Sequence, residues 1–111
     1  VDTLTANEVI LNKGTVTQKI SITNGVTINK AAGTITTVSS TIAHDTAASF
    51  TVTNSYAKSD SVIAISAATS GTGIPVATVT TKANGSFVIT LINAASSAAF
   101  NDTISIDFII A

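Results

Sequence analysis

Short runs in which β-branched residues alternate with hydroxyl residues fill this chain from Gly14 onward, and they limit its possible folds more than any other feature. Eight segments follow this pattern: Thr15–Thr23, Val26–Asn29, Thr34–Val38, Ser49–Thr53, Ser61–Ser66, Val76–Thr81, Ser86–Ile92 and Thr103–Ile110. β-Branched residues lose side-chain freedom in helices but pack well on a pleated surface, so the segments favour strands. Gaps rich in Gly, Asn, Ser and Ala separate them. We therefore predict an all-β fold: an antiparallel β-sandwich, jelly-roll-like or immunoglobulin-like, of about eight short strands.

The alternation also predicts the core. On the last segment one face carries only large apolar residues, and two earlier segments add others to the same core: Phe50, Val52, Phe87, Ile89, Leu91, Ile104, Ile106, Phe108 and Ile110. Ile109 falls on the opposite face of the last strand, which suggests that a neighbouring subunit covers it.

The connection around the Asn-Gly pair at 84–85 can be built in two ways. A two-residue turn would pair Thr80 with Ile89 and place hydroxyls opposite core residues. A three-residue loop over 83–85 would pair Val79 with Ile89 and keep the apolar residues on one face. We predict the three-residue loop.

The chain divides into two unequal parts. Residues 1–13 carry no sustained periodicity and are predicted to be an N-terminal arm or lead-in segment, with a first edge strand as the alternative. Residues 14–111 are predicted to form the sandwich domain, since a chain of 111 residues suits one domain with a single core.

The charge inventory excludes two classes of partner. Five lysines, no arginine and a net charge of −1 leave no basic stripe that could neutralise a run of phosphates, so we predict no nucleic-acid binding. No apolar run approaches the roughly 20 residues of a spanning helix, so we predict no membrane partner.

Charged residues make up 10% of the chain, against about 25% in ordinary domains. Such a surface suits a protein that is covered in an assembly, and equally a secreted β domain.

The sequence offers little reactive chemistry. His44-Asp45 is the one place for a general base, but the chain has no cysteine, no second histidine and no Gly-x-Ser-x-Gly motif. We predict a solvated turn there, no enzymatic activity and no cofactor. The acids are dispersed without a metal-ligand motif, so we predict no metal site. The alternative is that loops at one end of a sandwich gather Asp45, Asp60 and Asp102 around a calcium ion.

Carbohydrate binding usually depends on aromatic faces, and this chain has no Trp and a single Tyr. Tyr56 could stack on a sugar, pack against a partner or cover the rim of the core. We favour a combination of the last two.

The chain resembles a known class of proteins in the order of its segments. Its elements are Gly14–Gln18, Gly25–Asn29, Gly33–Thr37, Phe50–Ser55, Gly85–Ile89, Asn93 and Ile106–Ile110. Together they resemble the small virion proteins of tailed bacteriophages that decorate or cement capsids. Sequences of this style also occur in phage tail fibres and bacterial surface adhesins.

The resemblance implies a structural protein on the outer capsid surface of the virion, assembled in the host cytoplasm. Its expected partners are the major capsid protein, whose neighbouring subunits it would bridge, and itself, as a homodimer or homotrimer. Strand addition by the arm, with Val9, Ile10 and Leu11, would supply backbone hydrogen bonds to a neighbour. With Tyr56 and Ile109, these are the predicted partner-binding residues. The alternative function is a receptor- or carbohydrate-binding module of a tail fibre or adhesin, and a third is a structural domain of a bacterial surface protein.

Overall fold

Eight strands make up the fold in the computed structural model, which describes residues 13–111. They are β1 (Lys13–Thr17), β2 (Val26–Thr27), β3 (Ala32–Thr36), β4 (Ala47–Thr53), β5 (Ile63–Thr69), β6 (Pro75–Ala83), β7 (Ser86–Asn93) and β8 (Ile104–Ile110). Lys13, predicted to belong to the arm, is instead the first residue of β1. The rest of the arm lies outside the described residues.

The strands form two four-stranded sheets packed face to face, which confirms the predicted β-sandwich. The first sheet has the order β1-β3-β8-β5 and the second the order β2-β4-β7-β6. Four strand pairs are antiparallel, but β1 pairs with β3 and β2 with β4 in parallel. The parallel pairs arise because the chain alternates between the two sheets from β1 to β4, so strands two apart run in the same direction. The sheets are therefore mixed rather than wholly antiparallel.

The later strands follow an immunoglobulin-like order. In that fold strands B, E and D share one sheet, while C, F and G share the other. Here β4, β7 and β6 share the second sheet and β5 and β8 the first, as strands B, E, D, C and F do. The position next to F, which G would fill, is taken by β3, antiparallel to β8. Of the two predicted strand orders, β4–β8 therefore match the immunoglobulin-like one.

The predicted core residues lie between the sheets. All are buried except Ile110, which is partly buried and packs against the cluster. Phe87 and Phe108 come from opposite sheets and meet edge to face, with ring centroids 5.8 Å apart. This arrangement is favourable for aromatic pairs and ties the two layers together.

Two glycines on the inner face make room for a core side chain. Gly14 and Gly33 are register partners on β1 and β3. A Cβ built on Gly33 would lie 2.7 Å from Cδ1 of Ile28, and one on Gly14 would lie 3.4 Å from the same atom. Ile28 is 5% exposed. These glycines are therefore required for packing against Ile28.

The β6–β7 turn contradicts the predicted loop. Ala83 pairs with Ser86, so the loop is the two residues Asn84 and Gly85, and Lys82 lies opposite Phe87. Gly85 has a φ of 90°, which suits a residue without a Cβ, so two residues are enough to reverse the chain. The three-residue loop is wrong.

The register further from the turn is nevertheless the one the core requires. The ladder shifts between Val79 and Thr81, which leaves Thr80 as the extra residue of a β-bulge. Beyond it Val79 pairs with Ile89 and Ala77 with Leu91. The bulge reconciles the short turn with an apolar inner face.

Two buried asparagines close the ends of the sandwich. Asn93 donates from Nδ2 to the carbonyls of Ile42 (3.1 Å) and Ala98 (2.9 Å), and its Oδ1 accepts from the amides of Ile74 (3.2 Å) and Ala95 (3.1 Å). We call this the Asn93 end, and it holds the first residues of β4, β6 and β8.

At the opposite end the Asn54 side chain likewise forms hydrogen bonds with backbone groups. Its Nδ2 donates to the carbonyl of Lys30 (2.7 Å) and its Oδ1 accepts from the amide of Tyr56 (2.8 Å). Its own amide donates to the carbonyl of Gly85 at 2.9 Å. We call this the Asn54 end, where β4, β6 and β8 finish.

Candidate partner-binding surfaces

One candidate surface lies on the outer face of the first sheet, at its Asn54 end. Ile109 points outwards from β8 and is 47% exposed, so its predicted position off the core face is confirmed. Its cross-strand neighbour Ala64 is exposed too. Val62 exchanges two backbone hydrogen bonds with Ala111 (3.1 and 2.9 Å) and is 69% exposed. We call Val62, Ala64 and Ile109 the Ile109 patch.

A shallow depression continues this patch towards the middle of the sheet. It has a volume of about 370 Å³ and is bordered by Ile109, Ala64, Thr34 and Asp107 among others. The Thr34 hydroxyl donates to Oδ1 of Asp107 at 2.5 Å, which occupies part of that carboxylate's hydrogen-bonding capacity. The outward residues here are mostly small, so a partner can approach the backbone of the sheet closely.

A second candidate surface lies on the outer face of the second sheet, at the Asn93 end. Val76 pairs with Ile92 across β6 and β7, and both face outwards because Ala77 and Val79 face the core. Ile74 precedes β6 on the same face and is 56% exposed. We call Ile74, Val76 and Ile92 the Ile74 patch. The sequence pattern did not predict it.

The two patches face away from each other. They lie on different sheets, on outer faces that point in opposite directions, and at opposite ends of the strands. Four of the six large apolar residues that are exposed in residues 13–111 belong to them: Val62, Ile109, Ile74 and Val76. A single partner surface cannot cover both patches, but two partners can bind at once.

Tyr56, the aromatic residue predicted to bind a partner, lies in the loop at the Asn54 end and is 54% exposed. Its backbone is fixed by Asn54, while the following residue, Ala57, is fully buried in the core. The ring is therefore presented on a well-anchored loop. Among the other predicted contacts, Val9, Ile10 and Leu11 lie outside the described residues.

His44 and Asp45 form the predicted exposed turn. Their Nδ1 and Oδ2 atoms are 3.4 Å apart and both side chains are largely exposed. Asp45 has a φ of 59°, and its amide donates to the carbonyl of Asn93 at 2.9 Å. Such a pair stabilises little because solvent screens it. The absence of enzymatic activity stays a prediction.

The calcium alternative is contradicted for this set of acids. Asp45 and Asp102 lie at the Asn93 end, whereas Asp60 lies in the loop at the Asn54 end, next to Ser61. Within the described range, no three His, Asp or Glu side chains converge as a metal site would require.

Residues 13–111 contain no helix of the length and apolarity needed to cross a bilayer. Comparison with protein-family profiles, curated proteins and solved structures gives no match to this chain. Functional inference therefore rests on the two patches and on the resemblance of the segments.

Proposed function

We propose that this chain is a non-enzymatic structural protein of the virion that decorates a bacteriophage capsid and cements it by bridging neighbouring major capsid subunits. The observation that carries the proposal is the placement of the Ile109 patch and the Ile74 patch on opposite faces and at opposite ends. A bridging protein needs two contact surfaces that can be occupied together, and this placement supplies them.

The chemistry of the surface supports the same function. The chain has few charges, and its exposed strand positions carry mostly Thr, Ser and Ala. Without Trp or Arg, the usual anchors of interfaces, binding would depend on apolar burial, close backbone approach and repetition over the shell. The protein would lie on the outer surface of the capsid. Association with further copies of itself would extend the bridges.

The test is to add the purified chain back to capsid shells that lack it. Full burial of an isoleucine contributes about 1.5–3 kcal/mol, so Ile109→Lys and Ile74→Lys should each weaken shell binding about tenfold or more. Thr51→Lys is the matched control, because Thr51 is exposed on the second sheet away from both patches. Binding is measured by co-sedimentation and shell stability by heating. The proposal would be refuted if the shells did not bind the wild-type chain, or if Ile109→Lys and Ile74→Lys bound as well as Thr51→Lys.

Tyr56 favours the second candidate function, a receptor- or carbohydrate-binding module of a tail fibre or adhesin. Its exposed ring sits on an anchored loop, as a sugar-stacking residue would require. On a glycan array the purified chain would then bind a defined glycan, Tyr56→Ala would lose that binding, and Tyr56→Phe would keep it. A blank array with the wild-type chain would exclude this alternative for the glycans present.

A further inference from the structure

The chain contains two Asn-Gly sequences, and the structure holds them differently. An asparagine before glycine is chemically vulnerable because the next backbone nitrogen can reach the side-chain amide carbon without a Cβ in the way. The reaction needs a free backbone N–H and an accessible amide. The two sites differ in the first respect.

The Asn84-Gly85 site is protected. The Gly85 amide donates to the carbonyl of Ala57 at 2.8 Å, so the nitrogen that would attack is engaged elsewhere. Oδ1 of Asn84 accepts from the amide of Ser59 at 3.1 Å, which holds the side chain over the neighbouring loop. The attacking nitrogen is therefore held in a hydrogen bond that the reaction would have to break. A donor reaches Oδ1 at both Asn-Gly sites, so the engaged nitrogen is what distinguishes this one.

The Asn24-Gly25 site lacks this protection. Gly25 is exposed, and within residues 13–111 its N–H meets no hydrogen-bond acceptor. The Ser21 hydroxyl donates to Oδ1 of Asn24 at 3.4 Å. A donor at this oxygen polarises the amide carbonyl and stabilises the negative charge that develops there when a nucleophile adds. Nucleophile, electrophile and donor are thus together in one loop.

We propose that Asn24-Gly25 is a site of spontaneous deamidation in the folded protein. The Gly25 nitrogen forms a bond to Cγ of Asn24 and loses its proton to solvent. The Cγ–Nδ2 bond then breaks, and ammonia leaves after taking up a proton. Water opens the resulting cyclic imide at either carbonyl, giving aspartate or isoaspartate at position 24. No oxidant or cofactor takes part.

The modification would loosen a loop that is otherwise tightly braced. Gln18 is 2% exposed, and its Nε2 donates to the carbonyls of Ile22 and Asn24, both at 2.8 Å. An isoaspartyl linkage adds a methylene to the backbone at this point and moves the Asn24 carbonyl. It also adds a negative charge to the loop. The surface around this loop would therefore change as the protein ages.

The experiment follows both sites in the same molecule. The full chain is aged in mildly alkaline buffer, with and without denaturing urea, and digested with trypsin. The peptides 20–30 and 83–111 then report the two sites separately by mass spectrometry. We expect Asn24 to convert several-fold faster than Asn84 in the folded protein, and the two rates to converge in urea. Equal rates in the folded protein, or the same ratio in both states, would overturn the proposal.

A variant isolates the role of the hydroxyl. Ser21→Ala should slow conversion at Asn24 in the folded chain and leave the rate in urea unchanged. Asn84 in the same molecule serves as the internal reference for folding. If Ser21→Ala leaves the folded-state rate unaltered, the hydroxyl does not assist the reaction and that part of the proposal fails.

Discussion

Single residues in this protein hold conformations that their own chemistry disfavours. Ile20 has a φ of 73° and is 91% exposed. The amide of Ser21 donates to the carbonyl of Lys19 at 2.8 Å, which closes a tight turn around it. A β-branched residue with positive φ is a steric outlier, and such strain costs about 1–3 kcal/mol. Because the Ile20 side chain is exposed, its burial cannot offset this strain. The hydrogen bonds of the buried Gln18 side chain must therefore offset it.

Replacement of Ile20 should therefore stabilise the fold. Asparagine tolerates the left-handed region, so Ile20→Asn should raise the free energy of unfolding by about 1 kcal/mol. The check is urea denaturation followed by circular dichroism. Ile20→Val is the control, because it keeps the branched Cβ and should leave stability unchanged. A stabilised valine variant, or a destabilised asparagine variant, would show that backbone strain at Ile20 does not limit the stability of the fold.

The buried amide of Asn93 should matter far more than any exposed one. Asn93→Ala removes four hydrogen bonds at that end. The Ile42 carbonyl keeps the Phe100 amide, but the Ala98 carbonyl and two amides lose their partner, and each buried unsatisfied group costs about 1–3 kcal/mol. We expect a loss of about 2–4 kcal/mol, since some of these groups can turn to water. Asn29→Ala removes one exposed hydrogen bond to Ser55 and is the control. Losses of equal size in the two variants would show that the buried hydrogen bonds of Asn93 do not stabilise that end of the sandwich.

At the scale of elements, the periodicity of two predicted most of the later strands because each has one apolar face and one hydroxyl face. β4, β7 and β8 were predicted nearly in full for this reason. Thr15–Thr23 was predicted too long: β1 ends at Thr17, and the buried Gln18 side chain then bonds to the loop that follows. Gln18 and Lys19 interrupt the alternation at that end, but Ile20 and Ile22 resume it in the same phase as Val16, so the pattern predicted one long strand.

Long-range pairing was beyond the reach of local patterns. Neither the parallel pairing of β1 with β3 nor the crossing between sheets has a signature in neighbouring residues.

The prediction for the turn at Asn84-Gly85 failed for a related reason, because turn length and core register were treated as one choice. A bulge at Thr80 separated them. Lys82 lies opposite Phe87 as a result, and its Nζ donates to the Ser61 carbonyl at 2.6 Å.

The glycine pair on β1 and β3 gives a prediction at this scale. A Cβ on Gly33 would meet Cδ1 of Ile28 at 2.7 Å and the carbonyl oxygen of Gly14 at 2.8 Å. The second contact is with backbone and cannot be relieved by a rotamer change. Gly33→Ala should therefore cost about 1–3 kcal/mol, measured by thermal unfolding.

Gly85→Ala is the matched control for the crowding argument. No atom lies within 4 Å of a Cβ built on Gly85, so only its positive φ is penalised. The expected loss is about 1 kcal/mol. If Gly33→Ala costs less than Gly85→Ala, crowding against Ile28 is not what requires glycine on β3.

At the scale of the whole molecule, the arrangement of the two patches could be only half predicted. Ile109 stood out because it breaks the polar face of a strand whose core face is plain from the sequence. The Ile74 patch did not, because Val76 follows Ile74 and Pro75 in an apolar run that shows no preferred face. Its outward direction depends on the pairing of Ala77 with Leu91. The opposition of the two patches is a property of the folded sandwich alone.

Bridging by one molecule makes a prediction that independent binding does not. Ile109→Lys keeps the Ile74 patch, and Ile74→Lys keeps the Ile109 patch. If each copy must hold two neighbouring subunits at once, a mixture of the two variants will occupy shells without raising their thermal stability. The wild-type chain at the same occupancy will raise it, as will Thr51→Lys. Stabilisation by the mixture would mean that each patch acts alone, which would remove the mechanical basis for cementing.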